Sequence, residues 1–266
     1  MIRLAIRAPA VDAELVLAAL LELAPAGVEQ VDGPDSVEFA VYGTPGELPE
    51  LDPGEAEVGG IRVMVSGEEV PDDWAERWKR FHSPILVADR LYVRPPWEEA
   101  PIRPGVIDLR IDPGRAFGTG AHATTRLCLE LLAGLDGKGS FCDLGCGSGV
   151  LAIAAAKLGY GPVEAVDSDR LAVDATNLNA RDNGVALDVV RRANLREEAP
   201  PQADVVAANL MRPLLLRVAE LIDHRPRALI LSGLLDEEAD EVAAAFAPLQ
   251  EQRRLSDRGW TALLLS

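Results

Sequence analysis

The feature that most constrains the fold is an alternation of strand and helix signals that begins at residue 141. Short apolar stretches at 141–144, 163–166, 188–190, 204–208 and 228–232 read as strands. Stretches at 124–133, 150–158, 171–183 and 214–222 carry apolar residues at helical spacing. A strand followed by a helix returns to the same sheet by a crossover, so the strands run parallel and helices cover both faces. The expected fold class is therefore α/β, doubly wound. A helix at 237–246 and a strand at 261–265 finish this layer, and strands at 85–87, 91–93 and 106–111 precede it.

The first strand of the alternation runs into Asp143-Leu144-Gly145-Cys146-Gly147-Ser148-Gly149. Glycine lets a backbone turn left-handed and approach a ligand closely. The helix that follows offers unpaired amide groups at its N-terminus. A dinucleotide site would put its third glycine where this chain has Val150. The spacing here is Gly-x-Gly-x-Gly after an acid, which fits an adenosyl amino acid better than a pyrophosphate. In that reading Gly145 and Gly147 shape the turn, and Asp143 holds a cationic amine directly or through water.

Three further positions keep that turn company. Asp167 closes the next strand, where an acid accepts ribose hydroxyls in nucleotide-binding sheets; the rival role, capping the next helix, suits Ser168 or Asp169 better. Asn209 ends the buried stretch Asp204-Val205-Val206-Ala207-Ala208-Asn209 at the same edge. It is a cofactor contact, a polar edge for an incoming amine, or a turn former. Ahead of the first helix lies Asp112-Pro113-Gly114-Arg115-Ala116-Phe117-Gly118-Thr119-Gly120-Ala121-His122-Ala123-Thr124-Thr125. Its glycines fit a flexible cover, Thr124 or Thr125 can cap the helix, and His122 is either a general base or a structural histidine.

Residues 1–70 read as a small α+β domain. Strands are expected at 2–7, 28–31, 37–42 and 61–65. A helix over 12–23 is expected to bury Leu15, Ala19, Leu20 and Leu23. Residues 71–84 form a linker helix in this reading, with Trp74, Trp78 and Phe81 on one face. Those aromatics either pack on their neighbours or serve a hinge or lid. Residues 85–266 make the third segment. No run approaches the roughly 18 apolar residues of a membrane span, and the start lacks a signal-peptide core, so a soluble, cytoplasmic protein with no membrane contact is expected. A formal net charge of −17 disfavours direct nucleic-acid binding, which needs a basic footprint. That charge suits either plain solubility or a cationic partner. Cys128, Cys142 and Cys146 match neither a disulfide set nor zinc-ligand spacing, so no metal is expected.

Together these residues resemble the bacterial methyltransferase family that acts on large-subunit ribosomal protein eleven. The Trp-x-x-x-Trp-Lys segment at 74–79, the glycine-rich run at 112–125 and the stretch at 145–159 carry the likeness. So do Ala208-Asn209-Leu210 and Ser232-Gly233-Leu234-Leu235. The resemblance implies a Rossmann-like S-adenosylmethionine methyltransferase sheet with a small N-terminal α+β substrate-recognition domain. It implies cofactor contacts at Thr125, Gly145, Asp167 and Asn209. Asp143, Gly147 and the cover-loop residues Phe117, Gly118 and Thr119 join that set, and Asn209 and His122 are the candidate catalytic residues. The implied cofactor is S-adenosylmethionine, and the partner is ribosomal protein eleven, free or on the ribosome. The implied reaction is methylation of lysine or N-terminal amines. The rivals are a methyltransferase for another protein, RNA or a small molecule, and a non-catalytic cofactor-binding protein.

Overall fold

The structure is a computed structural model and describes residues 2–23, 28–33, 36–43, 48–49, 51, 53–69, 82–100, 103–113 and 122–266. Trp74, Trp78 and Phe81 of the expected linker helix lie outside the described residues, as do Phe117, Gly118 and Thr119. The chain divides into two compact units, Met1–Phe81 and His82–Ser266.

The first unit contains β1 (Ile2–Pro9), α1 (Ala13–Leu23), β2 (Glu29–Asp32), β3 (Ser36–Gly43), β4 (Gly54–Val58) and β5 (Ile61–Glu69). Its strands form an antiparallel sheet in the order β2-β3-β1-β5-β4. Leu4, Ile6 and Ala8 alternate onto the core face of β1, with Phe39 and Val65 opposite Ile6 on its two neighbours. Ala13, Val16 and Leu20 of α1 join that core. They stand at i, i+3 and i+7, one helical stripe. Leu15 falls off the stripe and is 60% exposed, which corrects the burial expected for it. On the other sheet face Arg3 and Arg7 share the Glu38 carboxylate, and those two cations hold it below the usual carboxylate range. The strand β4, Gly-Glu-Ala-Glu-Val, escaped sequence reading because acidic residues interrupt its apolar pattern.

The second unit opens with a small sheet of β6 (Ile85–Val87), β7 (Leu91–Arg94) and β8 (Ile107–Arg110). The main layer follows as α2 (Ala123–Ala133), β9 (Phe141–Leu144), α3 (Val150–Lys157), β10 (Val163–Asp167), α4 (Arg170–Asp182), β11 (Val189–Arg192), β12 (Val205–Asn209), α5 (Arg212–Leu221), β13 (Ala228–Leu235), α6 (Ala239–Ala245), β14 (Glu251–Asp257) and β15 (Trp260–Leu265). The strand order is β11-β10-β9-β12-β13-β15-β14. Pairing is parallel from β11 through β13, and β15 runs antiparallel to both of its neighbours.

Period-two alternation sorts the side chains between two cores. Phe141, Val163, Val205, Ala207 and Ile230 face a core with α2 and α3. Cys142, Leu144, Val166, Val206, Ala208 and Leu231 face one with α5 and α6. Complete burial of such a side chain contributes about 1.5–3 kcal/mol, so both faces of the sheet are fixed by its own sequence. Cys128, Cys142 and Cys146 are free and buried. Among the described residues no helix is long and apolar enough to cross a membrane.

The topology also fixes where a ligand can sit. From β9 the chain goes first to β10 on one side, and later to β12 on the other. The crevice at the carboxyl ends of β9 and β12 is thus the topological switch point, where ligands bind in open α/β sheets.

Candidate functional site

A cleft of about 270 Å³ opens at that switch point, lined among others by Thr125, Asp143, Gly145, Asp167, Asn209 and Leu210. The turn leaving β9 is left-handed at Gly145, Gly147 and Gly149, with φ of 73°, 52° and 80°. A Cβ on Gly145 would collide with the Leu210 side chain, and one on Gly149 would come within 2.8 Å of the Thr176 methyl. Gly149 is thus needed for the close approach of α4 as well as for the turn, while at Gly145 the left-handed backbone is the stricter requirement and the Leu210 side chain can shift.

Asp143 stands at the foot of the turn with 1% of its surface exposed. Its Oδ2 accepts a hydrogen bond from the Ala152 amide at 3.1 Å, across the first turn of α3. Burial pushes its carboxyl up to about 7; the Ala152 bond works the other way, and the nearby Asp167 carboxylate adds to the rise. A buried carboxyl of this kind gains from a cation brought into the cleft.

Asp167 ends β10 on the opposite wall. Its Oδ2 accepts from the Gly147 amide at 3.0 Å, and its Oδ1 accepts from Asp169 at 3.0 Å. The residue therefore braces the turn, and each oxygen has a second lone pair for a ligand hydroxyl. Asp169, not Asp167, caps α4, accepting from the Leu171 amide at 2.9 Å.

The third wall joins two sequence-predicted residues. Asn209 Nδ2 donates to Thr125 Oγ1 at 3.2 Å, which links the end of β12 to the first turn of α2. Asn209 is held by its neighbour: the Leu210 amide donates to the Ser232 carbonyl at 2.9 Å. Gly233, with φ of 84°, allows the Leu210 backbone to lie where a Cβ would come within 2.5 Å of the carbonyl oxygen.

His122 takes a different place. It is the N-cap of α2, its Nδ1 accepting from the Thr124 amide at 3.4 Å, and its ring meets the Trp260 ring edge-on at 5.1 Å. Burial lowers its pKa below the ordinary histidine value, and Arg126 adds to that. It is not among the residues that line the cleft.

Sequence reasoning missed Thr176 and Asn179; it quoted Leu210 and Gly233 within family motifs but not how they shape the site. Thr176 and Asn179 are buried polar residues of α4 whose partners are turn carbonyls; a search for apolar periodicity has no means of seeing such partners. The motif names Gly233, but its left-handed backbone beside a β-bulge needs the register of β13 against β15 to be read.

The family model described as ribosomal protein L11 methyltransferase (PrmA) matches residues 52–266. The chain belongs to that family. A ribosomal protein L11 methyltransferase of Chromobacterium violaceum is 42% identical over 197 residues, 72% of this chain and 64% of that protein. One from Shewanella piezotolerans is 44% identical over 187 residues, 68% of this chain and 63% of that protein. The match thus spans a little under two thirds of these relatives' length. Among solved structures, a ribosomal protein L11 methylase from Lactobacillus delbrueckii subsp. bulgaricus is 27% identical with a TM-score of 0.62, covering 70% of this chain and 98% of that one. A Pyrococcus abyssi tRNA (uracil-54, C5)-methyltransferase in complex with S-adenosyl-L-homocysteine shares the fold, at 19% identity and a TM-score of 0.50. The family's doubly wound sheet and the arrangement of this cleft therefore coincide in one chain.

Proposed function

We propose that this protein is an S-adenosylmethionine-dependent protein N-methyltransferase that modifies lysine or N-terminal amines of ribosomal protein L11. The observation that carries the reading is the cleft at the switch point. A buried acid, a left-handed glycine turn, a strand-end carboxylate and an Asn–Thr pair converge there within a chain of this family.

The residues fit the cofactor. Asp143, whose carboxyl burial has raised, suits the cationic amine of the methionine part. Asp167 suits the ribose hydroxyls, Gly145 and Gly147 leave room for close backbone approach, and Thr125 and Asn209 form the facing wall. Phe117, Gly118 and Thr119, which lie outside the described residues, complete the set by resemblance alone. When bound, S-adenosylmethionine supplies a methyl group already activated on a sulfonium. The protein's part is then mainly positioning. Asn209 orients the incoming amine, and Thr125 holds the Asn209 amide in place for that task. An ordinary lysine has a pKa of about 10.4 and must be neutral to react; a dry cleft lowers that value. The proton leaves to water, and His122, as a helix cap, takes no step.

Charge distribution supports a basic protein substrate. Residues 1–70 hold 14 Asp and Glu against three Arg and no Lys. An acidic surface of one sign attracts a lysine-rich partner and repels bare nucleic acid. We assign substrate recognition to residues 1–70, connection to 71–84 and chemistry to 85–266, in a cytoplasmic enzyme that meets its partner free or on the ribosome.

The test is calorimetric titration of the full-length protein with S-adenosylmethionine. Binding in the wild type and a loss of about 1.5–3 kcal/mol in Asp167→Ala, the scale of charge-assisted hydrogen bonds, is the expected result. Unchanged affinity in a folded Asp167→Ala variant removes Asp167 from the site.

A further inference from the structure

The glycine turn is held from beneath by one helix. The carbonyls of Gly147 and Ser148 point at α4, where Thr176 Oγ1 donates to the first at 3.0 Å and Asn179 Nδ2 donates to the second at 2.9 Å. Residues 176 and 179 lie at i and i+3, so they share a face of the helix, and both are completely buried. A left-handed turn lacks the regular ladder of a helix or strand, so side chains must satisfy its buried carbonyls.

Asn179 has a second partner that Thr176 lacks. Its Oδ1 accepts the backbone amide of Asp112 at 3.2 Å. Asp112 begins the glycine-rich run whose other end, Thr125, is bonded to Asn209. One turn further on, at the C-cap of α4, Asn183 binds the backbone of Arg110 at both groups, accepting from its amide at 2.9 Å and donating to its carbonyl at 2.7 Å. Two asparagines four residues apart on a helix thus read alternate residues of one extended segment. Only Asn179 also reaches the turn.

We propose that Asn179 is a positioning residue for the cofactor: its buried amide fixes the floor of the cleft to the start of the 112–125 run. Asn179 does not line the cleft and acts through Ser148 and Asp112. Losing the amide removes this partner from the Ser148 carbonyl, which is completely buried, and from the half-buried Asp112 amide, which favours a relaxed turn over the tight one. Because the turn forms one wall of the cleft, relaxation shows as lost affinity. The inference rests on the reading of the cleft as a cofactor site.

The experiment compares the full-length wild type with Asn179→Ala and Asn183→Ala. Each is measured by calorimetric titration with S-adenosylmethionine, and by amide hydrogen exchange at residues 145–150 in the cofactor-free protein. Asn183→Ala is the control, since it removes partly buried bonds at the end of the same helix but none to the turn. The expected result is a dissociation constant raised about tenfold in Asn179→Ala, one buried bond's worth, with faster exchange across the turn. Asn183→Ala is expected to lose comparable thermal stability and keep its affinity within about twofold. Wild-type affinity in Asn179→Ala, or equal weakening by both variants, overturns the proposal. Should Asn179→Ala fail to fold, Asn179→Asp keeps the acceptor for Asp112 and lacks the donor for Ser148; unchanged exchange at the turn in that variant also overturns it. If the wild type does not bind S-adenosylmethionine, the reading of the cleft falls, while exchange at the turn still decides whether Asn179 clamps it.

Discussion

Asp143 shows how a single residue ties stability to pH. Its folded pKa of about 7 lies above the ordinary carboxylate value, so between about pH 4 and 7 the folded protein holds a proton that the unfolded chain has released. The contribution of this group to stability is therefore complete below the ordinary value and is lost as pH rises to about 7. Thermal unfolding of the cofactor-free protein, measured from about pH 5 to 8, should show stability falling over that window by a component that Asp143→Asn abolishes. An Asn variant with the same pH slope as the wild type would show that Asp143 is not the group titrating. At this scale the sequence was informative wherever a residue's type and its place at a strand end coincide. Asp143, Asp167 and Asn209 were readable because the strand periods put all three at one edge. The bonds they make were not, since Asp167 to Gly147 and Asn209 to Thr125 join residues 20 and 84 positions apart.

At the scale of elements, the hydrophobic periods of the second unit gave its helices and parallel strands to within a few residues. The reason is that β9, β10, β12 and β13 are short, apolar and bounded by turns. The antiparallel strand β14 was not read, because Glu-Gln-Arg-Arg-Leu-Ser-Asp is mostly exposed and polar, and its position depends on pairing with β15. Gly233 belongs to this scale because it governs how two elements meet. It admits the Leu210 backbone beside β13, and Leu210 in turn holds Asn209 at the end of β12. Gly184 offers the comparison: its φ is also positive, at 66°, but nothing lies within 4 Å of a Cβ built there. Gly184→Ala should cost only the left-handed backbone, about 1–2 kcal/mol. Gly233→Ala should cost a further 1–3 kcal/mol or so from overpacking and also weaken cofactor binding by displacing Asn209. Denaturant unfolding and calorimetry on both variants check this. Equal costs, or unchanged affinity in Gly233→Ala, would contradict it.

Across the whole molecule, the two units differ in charge and in the cores they carry. The second unit carries both cores of the doubly wound sheet and, among the described residues, those that line the cleft. The first contributes a separate core of its own and a strongly acidic sequence. The inventory of the first unit was only partly legible in the sequence, since β4 and Leu15 departed from expectation. The central claim is that this two-part chain transfers methyl groups to ribosomal protein L11. Its most direct test is intact-mass analysis of purified ribosomal protein L11 after incubation with the protein and S-adenosylmethionine. The account predicts mass gain in whole methyl increments on lysines or the N-terminal amine, and none with a folded Asp167→Ala variant at limiting cofactor. An unchanged mass under conditions where the wild type binds the cofactor would contradict it.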